Sequence, residues 1–468
     1  MIEIYHLAVL FGSMALLIVL VIRGMSIFVV APLCALLAAA CCGTDPVQQM
    51  NEAYLTGFAD YIRRFYLIFA LGAVFGKLMD ESGAAITIAQ SIGRLFGKER
   101  ACLAVVLSCA VLTFGGVSLF VVGFSVFPLA VHLFRAADLN RRFIPAAIAF
   151  GSITFTMTSA GSPEIQNLIP IKYLIDANTG EALTDARAGW PVSLIVAVVM
   201  FSIGQLYLER AIRRDKAAGG RFESRDDDRI STASTDSPAL LPAITPLLVT
   251  ILALNLLPGW LHGLATSLSP ETCPWLHPIL ARFPEDGTLA IFLGVMAGVL
   301  ILRRRLKHVS NSFSEGFVNG LIAVGSTSAV VGYGSVIRTL PAFQQVVNVV
   351  THLPGDPLIS AAIAVAVIAA IAGSASGGQG IALPIIKPIY VDQLGVAPRA
   401  LHRVVAISSG TLDSLPANGY VVMLIRNICG ETYSRAYAPI FVTTVLIPAA
   451  GTALAIALFK LVPSWALH

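Results

Sequence analysis

Apolar residues fill long stretches of the chain, near positions 6–22, 25–42, 61–79, 101–134, 143–175, 190–208, 240–257, 288–302, 313–337, 357–391, 404–428 and 440–462. A barrel strand needs about 10 residues and a spanning helix about 20, so runs of this length predict roughly ten crossings or half-crossings by α-helices. Two runs are too long for one helix and carry Gly or Ser near their centres: 101–134 holds Thr113-Phe114-Gly115-Gly116, and 357–391 holds GSASGGQG from Gly373. Both read as re-entrant helical hairpins with Gly/Ser tips. Two others are interrupted by polar residues, Gly and Pro: 143–175 by TMTSAGSP from Thr156, and 404–428 by SSGTLDSLPANG from Ser408. Each reads as two half-helices joined by unwound backbone, a broken transmembrane helix.

The order of hairpin, broken helix and final span occurs twice, which predicts an internal repeat. At an offset of 256, Gly76 meets Gly332 and Pro128 meets Pro384; at 257, Arg142, Ala149, Ser152, Thr154 and Ala160 meet Arg399, Ala406, Ser409, Thr411 and Ala417. The expected organisation is a first inverted repeat over 1–210, a linker over 211–239 and a second inverted repeat over 240–468, each with scaffold helices, a hairpin and a broken helix. The polar stretch RAIRRDKAAGGRFESRDDDRISTASTDSP from Arg210 holds too few apolar residues to fold and reads as a flexible linker. Placed in the cytoplasm, it puts most of the 31 Lys and Arg on that side, as the positive-inside rule asks. The first hairpin then opens from the cytoplasm and the second from the opposite side. This is the architecture of an all-α, inverted-repeat secondary transporter of the inner membrane.

Composition supports a lipid environment. The 468 residues are 56% hydrophobic and 12% charged, with a mean hydropathy of +0.80, against about 25% charged residues in soluble domains. The net charge of +4 arises from basic residues in short loops, a topology signal and not a nucleic-acid surface. The cysteines, seven in all, show no metal or redox spacing; Cys34, Cys41, Cys42, Cys102 and Cys109 sit in apolar segments and read as packing residues. Arg23 follows the first apolar run instead of preceding it, so that run is expected to stay as an anchor. Nothing resembles a P-loop, a zinc site or a nucleophile with its base, so neither an ATP-driven pump nor an enzyme is expected, and no cofactor or metal.

Unwound backbone in lipid leaves polar groups that must be satisfied, so irregular segments persist where they line a cavity. Half-helices that begin there present N–H groups and positive dipole ends, which suit a carboxylate. The candidate substrate-binding residues are therefore the tip residues Gly115, Gly116, Ser118, Ser374, Ser376, Gly377, Gly378 and Gln379, and the break residues Thr156, Thr158, Ser159, Gly161, Ser162, Ser409, Thr411, Ser414 and Asn418. The same small residues also suit close helix packing or replacement of a lost backbone bond. Glu164 and Asp413 stand at the breaks; intramembrane carboxylates mark proton relays or ion sites, and both are candidates for proton coupling, with helix capping as the alternative role. Lys77, Asp80 and Glu81 form an expected interfacial salt-bridge cluster, Arg338 and Lys387 either attract an anion or snorkel, and His402, near a helix start, is expected at the surface.

The segments FGKLMDESGAA from Phe75, FGGVSLFVVGFSVFPLA from Phe114, GSITFTMTSAGSPEIQNLIP from Gly151 and HRVVAISSGTLDSLPANGYVVMLI from His402 resemble the GntP family of permeases. The resemblance implies symport of organic anions such as gluconate or 3-hydroxybutyrate, driven by protons, by a homodimer whose hairpin-bearing transport domains move as an elevator against a scaffold. Two departures stand out. TMTSAGSP replaces the His/Pro-rich first break of gluconate permeases, and Ala417 takes the place of the histidine in D-S-L-P-H-N-G. A proton route through that histidine is absent, which places the weight on Asp413. The expected partners are thus a small organic carboxylate, a coupling cation (a proton, with sodium as the alternative) and the bilayer. A sodium/proton antiporter and an anion channel are the rival readings.

Overall fold

The computed structural model describes residues 2–467 except 24, 118, 225–237, 268–287, 307, 344, 346–355, 373, 416 and 417. The chain is helical: among the described residues the one β-contact is an isolated bridge between Ile175 and Ala182. In the first half, helices α1 (Ile2–Ile22), α2 (Ile27–Cys41), α3 (Leu55–Glu81) and α4 (Ala84–Phe96) lead to a helix pair, α5 (Ala101–Phe114) and α6 (Leu119–Ala136). Next come α7 (Ile144–Ala149), extended by a π-turn over Phe150–Thr154, then α8 (Ile165–Tyr173) and α9 (Trp190–Ala217). The second half holds α10 (Leu240–Ser267), α11 (Thr288–Leu302), α12 (Val309–Thr339), the pair α13 (Pro357–Ala372) and α14 (Ala375–Lys387), α15 (Pro398–Ser409), α16 (Gly419–Met423), α17 (Tyr433–Phe441) and α18 (Ile447–Leu461). Helix starts at Leu55, Ala101, Leu119, Ile144, Ile165 and Trp190 are followed by starts at Val309, Pro357, Ala375, Pro398, Gly419 and Ile447, each roughly 255 residues on.

Among the described residues, four stretches are long and apolar enough to cross a membrane, Trp190–Ala217, Leu240–Leu257, Val309–Thr339 and Tyr433–Leu461. Their outer faces are bare hydrocarbon. Trp190, Leu194 and Val198 recur at four-residue spacing along α9, and Leu241, Leu248, Leu252 and Leu256 fall seven and then four residues apart along α10, all exposed. In lipid such a face needs no cover, whereas the interior collects the polar groups: Asn167, Gln379, His402, Arg403 and Ser409 are fully buried. The long helices α3 and α12 run antiparallel in close contact. A Cβ added to Gly57 would strike Ser335, one on Gly320 would strike the Ala70 backbone and one on Gly316 would meet the Val74 Cα at 2.7 Å. Small residues allow this approach, which supplies dispersion contacts where the hydrophobic effect does not act.

The structure adjusts several expected boundaries. Within GSASGGQG, Ser376, Gly377, Gly378 and Gln379 lie in the first turns of α14 and not in a loop, while Gly373 lies outside the described residues. The reason is Ser374, which caps that helix by accepting from the Gly377 N–H at 3.2 Å. The linker expected from 211 begins later, because α9 runs to Ala217. Its next residues are tied down by Arg221–Asp138 at 3.3 Å and Glu223–Arg435 at 2.7 Å. Lys77 pairs with Glu81 at 3.1 Å and Glu315 at 2.7 Å. Lys387 pairs with Asp392 at 2.8 Å.

Candidate functional site

The site grows out of two interruptions and the starts of the helices beside them. Between Thr154 and Ile165 the backbone is irregular, and its hydroxyls do the work of missing helical bonds. Thr156 Oγ1 donates to the carbonyls of Ser152 (2.7 Å) and Gly151 (3.1 Å), and Ser159 Oγ donates to Phe155 O at 2.5 Å. Gly161, at φ +78°, fits under Asn255, whose amide donates to Gly161 O at 3.1 Å. Ser162 Oγ accepts from the Glu164 N–H at 3.3 Å, and Glu164 itself sits at the start of α8, buried, with no capping bond from its side chain.

The second interruption, after Ser409, behaves alike. Thr411 Oγ1 donates to Ser408 O at 2.6 Å, and Asn418 caps α16 by accepting from the Val421 N–H at 3.0 Å. Asp413 is buried; its carboxylate accepts from Ser414 Oγ at 3.0 Å and lies beside the backbone N–H of Ala375, the first residue of α14. It therefore occupies the positive end of that helix.

Gln379 joins these parts. Its Nε2 donates to Gln166 O on α8 at 3.1 Å and to Ser409 Oγ at the end of α15 at 2.8 Å. Thr158 and Gly410, one from each interruption, also meet: the Thr158 Cγ2 lies 3.7 Å from a Cβ built on Gly410. Thr158, Ser409, Asp413, Ser414, Ser374, Ser376 and Gln379 thus share one buried polar region. The first helix pair reaches it only at its edge. Gly116, at φ +92°, lies 3.0 Å by its added Cβ from Pro163, while Gly115 packs on Leu247 and Gly378 packs on Ala369. Ser118 lies outside the described residues.

Sequence reasoning missed the group that holds the first interruption in place. Arg403 is fully buried: its Nε donates to Ala188 O at 2.9 Å, one Nη to Thr158 O, and the other to Asn167 Oδ1 at 2.9 Å. His402 is not a surface residue but is equally buried, with Nδ1 2.8 Å from Thr184 Oγ1 and Nε2 3.3 Å from Asn167 Oδ1. Arg399 pairs with Asp185. Three successive polar positions of one α15 face therefore clamp the 184–188 loop onto α8. The available signal was their spacing at 399, 402 and 403, one helical face, set against a polar loop.

A family model described as GntP family permease matches residues 4–462. The chain belongs to the GntP permease family. An uncharacterized transporter of Bacillus subtilis (strain 168), YxjC, is 33% identical over 97% of this chain and 99% of its own length. The D-serine transporter DsdX of Escherichia coli O6:H1 (strain CFT073) is 24% identical over 84% of each chain. Among solved structures, the YdaH transporter of Alcanivorax borkumensis shares the fold at a TM-score of 0.53 and 16% identity, over 87% of this chain and 89% of that one. This GntP permease is accordingly a multi-pass protein of the bacterial inner membrane and a transporter, not an enzyme.

Proposed function

We propose that this permease is a secondary active transporter that imports a small organic carboxylate, a short hydroxy acid or sugar acid, by proton symport. The observation that carries the reading is the buried Asp413 carboxylate seated on the N-terminus of α14, in the same polar region as Gln379 and both interruptions. A helix N-terminus stabilises one anion well. When Asp413 takes a proton it releases that position to a substrate carboxylate, so proton and anion load together and the region carries the same charge loaded as empty. Glu164, at the start of α8, is the second proton-coupling candidate. The candidate substrate contacts are Ser374, Ser376, Gly377, Thr158, Ser162, Ser409, Thr411, Ser414 and Asn418 together with Gln379, while Gly115, Gly116, Gly161 and Gly378 shape the walls.

In this reading the α5–α6 and α13–α14 pairs are the re-entrant hairpins of two inverted repeats, 1–210 and 240–468. The paired helix starts and the antiparallel α3–α12 contact support that assignment. The hairpins and interrupted helices form the moving part of an elevator, and α1–α2 with α10–α11 form the scaffold of a homodimer. The substrate named for DsdX, D-serine, carries a carboxylate and a hydroxyl, which supports the choice of a short hydroxy acid.

The test is uptake of labelled gluconate, 3-hydroxybutyrate, glycerate, lactate, D-serine and citrate into proteoliposomes, with proton and sodium gradients imposed separately. Accumulation of one acid under the proton gradient alone is the expected result. Accumulation that requires sodium moves the coupling to the hydroxyls of the interruptions, and flux without accumulation identifies a channel.

A further inference from the structure

We propose that Gln379 selects the substrate by accepting a hydrogen bond from it, so that the carried carboxylate must bear a hydroxyl or ammonium group close to its carboxylate; the inference rests on the carrier reading above. Gln379 is fully buried in α14, one turn beyond the Ser374 cap. Its amide orientation is set by its neighbours. Gln166 O is a backbone carbonyl and can only accept, so the end of Gln379 that faces it at 3.1 Å is the NH2, and the second hydrogen of that NH2 goes to Ser409 Oγ at 2.8 Å. Both donors are used. The other end is therefore Oε1, buried and without a hydrogen-bond partner among the described residues. Two more oxygens share that condition, Thr158 Oγ1 on the first interruption and Gln166 Oε1 on α8.

Buried acceptors of this kind are uncommon and call for a donor. A carboxylate does not serve, because its oxygens only accept, and neither does a hydrocarbon. A hydroxyl or an ammonium does. The carboxylate of the substrate belongs instead at the first turn of α14, by Ser376 and Gly377, once Asp413 is protonated. Along a helix axis Ala375 and Gln379 stand about 6 Å apart, which fits a donor two or three carbons from a carboxylate. Such a site rejects the deoxy analogue of its substrate more sharply than it resolves chain length, because the analogue leaves the acceptor unpaired.

The experiment compares kcat/KM for 3-hydroxybutyrate, 3-aminobutyrate and butyrate, and for D-serine and propionate, in which the last member of each set lacks the donor, in proteoliposomes of wild type, Gln379→Met and Gln379→Glu, with Tm in detergent as the check on folding. Wild type is expected to handle the deoxy member of the preferred pair at least about a hundredfold more poorly. Gln379→Met should cut that ratio to within about tenfold by losing the hydroxy or amino acid, not by gaining the deoxy one, while Gln379→Glu, assayed at acidic pH so that its protonated carboxyl donates to Gln166 O and keeps an oxygen in the Oε1 position, retains the preference. Equal handling of both members by wild type overturns the inference and leaves the carrier reading intact. A Gln379→Met protein of wild-type Tm that keeps the full ratio also overturns it. Should Gln379→Met not fold, a Gln379→Glu protein that has lost the preference overturns it in its place. Accumulation of no acid by wild type overturns the carrier reading and the inference with it.

Discussion

Arg403 shows most clearly how single residues hold this structure. Burying a guanidinium in a membrane protein is costly unless its donors are met, and here they are met by two carbonyls and an amide oxygen, from Ala188, Thr158 and Asn167. Removing them leaves buried acceptors unpaired at about 1–3 kcal/mol each. Arg403→Gln is therefore expected to lower the detergent Tm by several degrees, and Arg403→Lys, which lacks the planar fork, by a smaller but measurable amount; a Tm equal to wild type for Arg403→Gln would contradict this. The residue was visible in the sequence but not its place. A lone basic residue beside an apolar run reads the same whether it snorkels to the surface or clamps a loop, because the loop partner lies more than 200 positions away. Glu164 and Asp413 were easier to single out, since a carboxylate within an interrupted apolar run has few ordinary uses.

At the scale of elements, α14 is the piece on which the site depends. Its first turn meets Asp413, its second presents Gln379, and its Gly378 lets it lie against α13. A Cβ at Gly378 would sit 2.6 Å from the Ala369 Cβ and closer still to the Ala369 Cα, a backbone atom that cannot step aside. Gly378→Ala should therefore separate the pair, lower stability by about 1–3 kcal/mol and reduce uptake; a thermal-shift assay with normal Tm and normal uptake would show that the close approach is dispensable. Hydropathy located α13–α14 and both interruptions, because a long apolar run with Gly, Ser and Pro inside it has few alternatives. It did not show that Ser376, Gly377, Gly378 and Gln379 are already helical. Gly and Ser suit a loop and a closely packed helix start equally, and the choice was made by the Ser374 cap and the Ala369 contact, both tertiary facts.

For the whole molecule, the sequence and the structure divide the labour differently. The ordering of helices was legible because lipid forces long apolar runs, and helix starts spaced about 255 residues apart match the offset of scattered identities such as Pro128 and Pro384. Convergence of the interruptions on Gln379 was not legible, since nothing in the order of residues says which helix of one half touches which of the other. The proposed coupling of proton to anion at Asp413 decides whether the protein accumulates its substrate. It is tested most directly by Asp413→Asn in proteoliposomes, measuring accumulation under an imposed proton gradient and, separately, exchange of labelled for unlabelled substrate at equal concentration. The expected result is loss of accumulation with exchange retained, because a fixed neutral side chain still leaves the α14 N-terminus open to the carboxylate. Proton-driven accumulation by Asp413→Asn at the wild-type level would contradict the account.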